Sequence, residues 1–158
     1  MNRKYDLEFF FNKIKEIRSI RPNISITTDI IVGFPGETEE LFNKSIETCK
    51  KIEFTKLHVF PFSERKGTKA VELDIKVSQE EKKKRTKKLL EVSRELETNY
   101  MNKYLGKEVE VLIEEYKDGY SYGHTGNYLY VKINKELPHN EIVKVKIKEI
   151  KYPYCIGE

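Results

Sequence analysis

Fourteen residues, Thr27 to Glu40, constrain the fold of this chain more than any other stretch; they read TTDIIVGFPGETEE. Ile30, Ile31 and Val32 form a short β-branched run, the spelling of a strand covered on both faces. Gly33, Pro35 and Gly36 break it, and glycine lets backbone come close to a neighbour. Thr38 can cap a helix whose first turn carries Glu39 and Glu40, where the helix dipole favours negative charge. The stretch is a strand–turn–helix unit, and parallel α/β proteins place ligands just past the carboxyl end of such strands. A βα turn that binds nothing would be spelled the same way.

The flanking sequence extends this unit. Residues 6–20 carry Leu7, Phe10, Ile14 and Ile17 at helical spacing behind Asp6, a capping residue. Pro22 and Asn23 end that helix, and a strand over 24–32 follows. A second helix over 38–52 sets Phe42, Ile46 and Cys49 on one face, with Cys49 as a small buried hydrophobe. Lys56 to Phe60, KLHVF, reads as a second strand running into Pro61. Helix, strand, helix, strand with short connections is the rhythm of a parallel α/β sheet. Two strands close no barrel, so residues 1–77 read as a piece of a larger α/β domain. Residues 63–77 are polar and loop-like around Gly67.

Ser78 opens a long helix with a capping box to Glu81. It carries KKKRTKK from Lys82 to Lys88, then an apolar stripe of Leu89, Val92, Leu96 and Tyr100, with Gly106 placed to end it. Nine basic and five acidic residues lie between Gln79 and Lys107. The basic run is either a solvated face or a phosphate-facing one. Beyond Gly106 the texture changes. Val109, Val111 and Ile113 alternate with glutamates, Asp118-Gly119 signals a turn, Tyr128 to Ile133 alternates again, and Val143, Val145 and Ile147 alternate with lysines. Short alternating strands in so few residues predict a small antiparallel β-barrel, which hides its edges by closure. Residues 78–104 are then a connecting helix and 105–158 a second domain. The tail from Tyr152 to Glu158 carries no pattern that assigns it.

Composition narrows the classes. The net charge of +4 permits a nucleic-acid partner without demanding one. Seven lysines against nine carboxylates between Glu108 and Glu158 make the second domain slightly acidic, so any RNA grip there uses local patches. No run approaches about 18 apolar residues, the length that spans a membrane. The amino terminus, MNRKYDLEFFF, lacks the pattern of a signal peptide. Two distant cysteines, Cys49 and Cys155, make neither a disulfide framework nor a metal motif, and point to a reducing cytoplasm. No catalytic constellation assembles: His58, His124 and His139 are scattered, and no HExxH, GxSxG or Walker loop is present. Asp29 and Glu37 flank the first strand, and His58 sits in the second, facing a barrel interior or simply packed.

The other informative patch is GYSYGHTGNYLYV, Gly119 to Val131. Tyr120, Tyr122, His124, Asn127, Tyr128 and Tyr130 crowd into it. Aromatics exposed on a small barrel can stack bases, and His124 and Asn127 offer hydrogen bonds that discriminate among them. If half the tyrosines were core, the glycines would instead serve a bulge or hairpin.

Three segments in order, TTDIIVGFPGETEE, KLHVFPFSERKGTKA and GHTGNYLYV, resemble the carboxyl-terminal half of the radical-SAM tRNA methylthiotransferases. The opening MNRKY resembles the start of a barrel helix in the same family. The FPFSxRKGT and GHTGNY forms resemble the branch that acts on N6-threonylcarbamoyladenosine beside the anticodon. The resemblance implies the fold class: the end of an α/β partial (β/α) barrel, followed by an OB-like antiparallel TRAM barrel. It implies that Ile31, Val32, Gly33 and Phe34, with Phe60 and Ser63 at the end of the next strand, lie against S-adenosylmethionine. It implies that Tyr122, His124, Thr125, Asn127 and Tyr128 lie on or near the face that meets the tRNA anticodon stem-loop.

The family's barrel begins with a CxxxCxxC motif for the 4Fe-4S cluster that cleaves S-adenosylmethionine, and an amino-terminal domain binds a second cluster. Neither is spelled here, and Cys49 and Cys155 cannot replace them. The chain is therefore expected to be part of a longer cytoplasmic enzyme, inert alone, with the missing amino-terminal part as a partner. The alternative is a stand-alone RNA-binding module with residues 1–77 as a degenerate support.

Overall fold

A computed structural model describes residues 4–73 and 75–158 of the chain. Met1 to Arg3 of the MNRKY segment and Asp74 lie outside the described residues. The chain forms two compact units, one up to Leu96 and one from Glu97 onward.

The first unit contains α1 (Leu7–Ile20), β1 (Thr27–Val32), α2 (Glu39–Ile52), β2 (Lys56–Pro61) and most of α3 (Gln79–Asn102). Asp6 caps α1 by accepting from the Phe9 amide at 2.8 Å, and Thr38 caps α2 by accepting from the Leu41 amide at 3.2 Å. β1 and β2 pair in parallel, from Thr27 opposite Lys56 to Val32 opposite Pro61. The expectation of a strand covered on both faces is corrected. Val32 and Leu57 are buried, while Ile31 and Phe60, partners across the sheet, are 38% and 49% exposed. One face is packed by Ile14, Phe42, Cys49, Ile52, Leu89, Val92 and Leu96. The opposite face carries Asp29, Ile31, His58 and Phe60, all exposed. His58 therefore lies on this open face and not in the core. The sheet has two strands, and no barrel closes around them among the described residues. On α1 the buried stripe is rotated from the expected one: Phe10, Phe11 and Ile14 meet the core, whereas Leu7 and Ile17 are exposed.

The amino-terminal part of α3 is core. Its buried positions are Lys82, Arg85, Leu89, Val92, Ser93 and Leu96, at helical spacing. The basic run is thus split: Lys82 and Arg85 point inward, and Lys83, Lys84, Lys87 and Lys88 are exposed. Ser93 Oγ accepts from the Leu57 amide at 3.0 Å and fixes β2 to the helix. Ser78 caps α3 through the Glu81 amide at 3.1 Å, but the Glu81 carboxylate turns to Arg85 at 3.0 Å, so the capping box is half made. The helix ends at Asn102, short of Gly106. A series of turns follows, and Gly106, at φ 77°, begins the next pairing by donating to the Ile147 carbonyl at 2.8 Å.

The second unit is a closed five-stranded barrel ordered β3-β4-β5-β7-β6. Its strands are β3 (Glu108–Lys117), β4 (Tyr120–Thr125), β5 (Tyr130–Ile133), β6 (Ile142–Lys151) and β7 (Tyr154–Gly157). Asp118 and Gly119, both at positive φ, make the two-residue β3–β4 hairpin. The unassigned tail is β7, which closes the barrel. It runs antiparallel to β6 but parallel to β5, so the barrel is mixed and not purely antiparallel. The core holds Val111, Ile113, Val131, Ile133, Val145, Ile147 and Cys155, plugged by Tyr100 and Met101 from the end of α3 and by Tyr104 from the turn after it. Between β3 and β6, and beside them, lysines meet carboxylates: Lys144 with Glu108, Lys148 with Glu158 and Lys151 with Glu149.

Candidate functional site

Strand β4 inverts the usual alternation. Its inward residues, Ser121, Gly123 and Thr125, are small and buried, while Tyr120, Tyr122 and His124 face outward and are half-buried against one another. Small inward residues are needed where β4 approaches β3 closely: a Cβ on Gly123 would stand 1.9 Å from the Leu112 carbonyl oxygen. Ser121 replaces apolar packing with hydrogen bonds, donating to the Lys135 carbonyl at 2.8 Å and accepting from the Leu137 amide at 3.0 Å. Register then assembles an aromatic sheet face. Tyr122 pairs with Lys132 and His124 with Tyr130, and Tyr154 of β7 joins from the far side. His124 stacks on Tyr130 at 4.6 Å and 9°, Tyr130 meets Tyr154 at 4.9 Å, and Tyr122 meets Tyr154 at 5.6 Å. None of Tyr120, Tyr122, Tyr128 and Tyr130 belongs to the buried core.

Burial and neighbouring carboxylates tune the polar groups of this face. His124 Nδ1 lies 2.6 Å from Glu114 Oε2. An ionised carboxylate only accepts, so Nδ1 carries the proton and Nε2 is left for another group. The Tyr130 hydroxyl has a raised pKa, first from burial and then from Tyr154, Glu115, Tyr122 and Glu114, so it stays a neutral donor.

The β4–β5 connection is held by a polar knot. Thr125 Oγ1 donates to Asn127 Oδ1 and accepts from the Leu129 amide at 3.0 Å. Asn127 Nδ2 donates to the hydroxyls of Tyr100, at 2.9 Å, and Tyr104. Both amide protons of Asn127 are thereby used inside the protein, and Thr125 is buried. The knot holds Tyr128 at φ 65°, and the residue is 82% exposed. A bulky residue at positive φ is uncommon and costs free energy, which marks positions held for a purpose. Of the five residues expected at an RNA face, Tyr122, His124 and Tyr128 present their rings outward, while Thr125 and Asn127 sit behind them. Tyr130, Lys132 and Tyr154 complete the face. Tyr154 escaped sequence reasoning because the tail shows no alternation of its own.

The turn after β1 is built from the inside. Gly33, at φ 71°, donates its amide to Glu37 Oε2 at 2.7 Å. Arg85 Nη1 reaches the same carboxylate at 2.7 Å and the Glu37 carbonyl at 2.9 Å. Burial lowers the Arg85 pKa, but hydrogen bonds and charge from Glu37 and Glu81 outweigh it and raise it overall. Lys82 lies under Gly33, where an added Cβ would stand 2.4 Å from its Cγ, and its Nζ donates to the Phe62 carbonyl at 3.2 Å. Of the residues expected at a cofactor, Ile31, Phe60 and Ser63 are exposed, Phe34 is half-buried with its ring 5.2 Å from that of Phe62, and Val32 and Gly33 are buried.

Residues 102–158 match the model of the TRAM domain. A threonylcarbamoyladenosine tRNA methylthiotransferase of Bacillus subtilis is 37% identical over the whole chain, which covers 36% of that protein. A tRNA-2-methylthio-N(6)-dimethylallyladenosine synthase of Endomicrobium trichonymphae is 40% identical over the whole chain and 38% of its own length. One from Thermodesulfovibrio yellowstonii is 44% identical over 93% of the chain and 34% of its own length. The chain belongs to the tRNA methylthiotransferase family. It spans little more than a third of the length of these relatives and matches their carboxyl-terminal part.

The cysteines of this member of the family do not make an iron–sulfur site. Among the described residues no group of three or more His, Cys, Asp or Glu is placed to hold a metal ion. Cys49 lies in the core of the first unit and Cys155 inside the TRAM barrel. Burial pushes each thiol up to about 11. A cluster takes several neighbouring thiolates, so these two do not fit one. Both thiols are expected to resist iodoacetamide at pH 8 in the folded chain and to react in guanidinium. Between pH 9 and about 11 the unfolded thiol ionises while the folded one does not. Stability therefore falls as pH rises, by about 1.4 kcal/mol per pH unit for each thiol. A pH series of denaturant melts, with Cys49→Ala as the reference, measures this. No helix among the described residues is long and apolar enough to cross a membrane.

Proposed function

We propose that this chain supplies the tRNA-gripping domain and part of the S-adenosylmethionine wall of a cytoplasmic enzyme. That enzyme adds a methylthio group to C2 of N6-threonylcarbamoyladenosine next to the anticodon. The observation that carries the reading is the outward aromatic face of β4, β5 and β7 on a TRAM barrel. Relatives named for two different adenosine modifications match at similar identity, and the choice between them rests on the FPFSERKGT and GHTGNY segments.

The residues divide the work. Tyr122, His124 and Tyr128 face the anticodon stem-loop, while Thr125 and Asn127 hold Tyr128 in place through Tyr100 and Tyr104. In the first unit the exposed Ile31–Phe60 pair offers an apolar ledge, and the Gly33–Phe34 turn and Ser63 border it. The ledge suits the adenine of S-adenosylmethionine, which when bound supplies the radical chemistry of the family. The clusters that start that chemistry would be held by the amino-terminal part of such an enzyme, and these 158 residues alone are inert.

An anticodon stem-loop carrying the adenosine, titrated against the full chain by fluorescence anisotropy, tests the RNA half. Tyr128→Ala and His124→Ala are each expected to weaken binding by about tenfold, in line with about 1–3 kcal/mol per stacked base. Unchanged affinity in both variants would remove the RNA role from this face. The rival reading, a stand-alone RNA-binding module, is separated by co-expression with a segment carrying the CxxxCxxC half of a relative. Co-purification and restored cleavage of S-adenosylmethionine support the enzyme reading, and failure of both supports the module.

A further inference from the structure

One cation of the aromatic face, Lys132, is held in an unusual setting. Lys132 Nζ lies 3.8 Å from the centre of the Tyr120 ring, 5.6 Å from that of Tyr122 and 5.7 Å from that of Tyr154. Among the described residues no carboxylate forms an ion pair with it, in contrast to Lys144, Lys148 and Lys151 on β6. An aromatic quadrupole holds an ammonium in place without neutralising its charge. Lys132 is thus a positive charge held in place by rings and not paired with a carboxylate, on a face whose exposed ring is Tyr128. Along the same face Glu114 accepts from His124, while Glu115 stands opposite Tyr122 in the β3–β4 ladder, in the same cross-strand row as Lys132. Glu114 disfavours a phosphate beside His124, and the Lys132 ammonium, which leans over Tyr120, is the cation placed to meet one.

We infer that the face between Tyr128 and Lys132 takes unpaired RNA, with bases stacked on the rings and one phosphate held by the ring-caged ammonium of Lys132. A duplex hides the faces of its bases in its own stack, and only unpaired nucleotides can lay a base on an exposed ring such as Tyr128. With one phosphate contact, this face reads unpaired loop nucleotides by stacking and draws little affinity from charge. The inference rests on the RNA-binding reading above and narrows it to the unpaired part of the ligand.

The test uses the full 158-residue chain. Its probes are a fluorescein-labelled unstructured oligoribonucleotide and a blunt RNA duplex of the same length, titrated from low to moderate salt. The unpaired strand is expected to bind at least about tenfold tighter than the duplex. Lys132→Gln is expected to reduce the slope of log K against log salt by about 0.7, the value for one phosphate on a single strand. Tyr128→Ala is expected to lower affinity by about tenfold with the slope unchanged. Tyr128 is exposed and Lys132 lies on the surface face, so both variants keep the barrel, checked by an unchanged tyrosine near-UV spectrum. Equal affinity for strand and duplex, or an unchanged slope in Lys132→Gln, overturns this inference and leaves RNA binding standing. No affinity for either probe or for the stem-loop overturns the RNA reading itself.

Discussion

Gly123→Ala is expected to remove most of the stability of the TRAM barrel. The new Cβ would stand 1.9 Å from the Leu112 carbonyl oxygen and 2.8 Å from its carbon. Both atoms belong to the backbone of β3, so no rotamer change relieves the clash. β3 must move away from β4 at the point where the ladder already shifts register, between Ile113 and Glu115. Overpacking of a core costs about 1–3 kcal/mol, occasionally more. Here the separation of two paired strands adds to it, and we expect about 3 kcal/mol or more. A small domain is stable by only about 5 kcal/mol or slightly more, so most of its margin goes. The measurement is the near-UV tyrosine circular dichroism of the full chain in a urea titration. Gly126→Ala is the control: nothing lies within 4 Å of its added Cβ, and its midpoint should shift by no more than about 0.5 kcal/mol. Equal midpoints for the two variants would refute the close β3–β4 approach.

Glu37→Ala should produce the largest effect in the first unit. The Glu37 carboxylate is shared by the Gly33 amide and the Arg85 guanidinium, each at 2.7 Å. The side chains of Arg85 and Glu37 are only 7% and 13% exposed. Removing one member of a buried pair strands the other, at a cost of about 3–5 kcal/mol. Arg85 retains Glu81 at 3.0 Å, which places the expected loss near the lower end, about 3 kcal/mol. The Gly33 amide loses its acceptor as well, so its hydrogen exchange should become the fastest in the β1 turn. Glu37→Gln keeps an acceptor for that amide and removes only the charge, and it should fall between the parent and Glu37→Ala. In a cycle with Arg85→Met, the double variant should lose less than the sum of the singles, because the two groups act as one unit. Full additivity would mean that the pair is not coupled. Loss of this knot also frees the turn bordering the Ile31–Phe60 ledge, so a cofactor role for the ledge should weaken with it.

Much of the first unit was legible because its elements obey local rules. Asp6 and Thr38 are capping residues, the apolar positions of α2 recur at helical spacing, and β-branched runs bounded by Gly and Pro mark the strands. Periodicity also revealed β3, β5 and β6, whose inward positions are Val and Ile. It failed for β4, where the inward residues are Ser, Gly and Thr and the aromatic ones face out. The apolar pattern of that strand points the wrong way, for a reason that lies in the strand packed against it. It failed again for β7, four residues that make sense only between β5 and β6.

The sequence by itself determined the helices, the strand–turn–helix spelling of Thr27–Glu40, the switch to β-structure after Gly106 and the family. These follow from short-range chemistry: capping, period and turn residues act within a few positions of one another. Only the tertiary structure decided which members of KKKRTKK are buried, and that Arg85 and Lys82 shape the turn after β1 instead of waiting for phosphate. It also decided that Thr125 and Asn127 brace Tyr128 from behind, and that Lys132 sits among three tyrosines. Each of these depends on groups brought together from distant parts of the chain, as Glu37 and Arg85 are, and no spacing in the sequence encodes which side of a strand or helix will meet them.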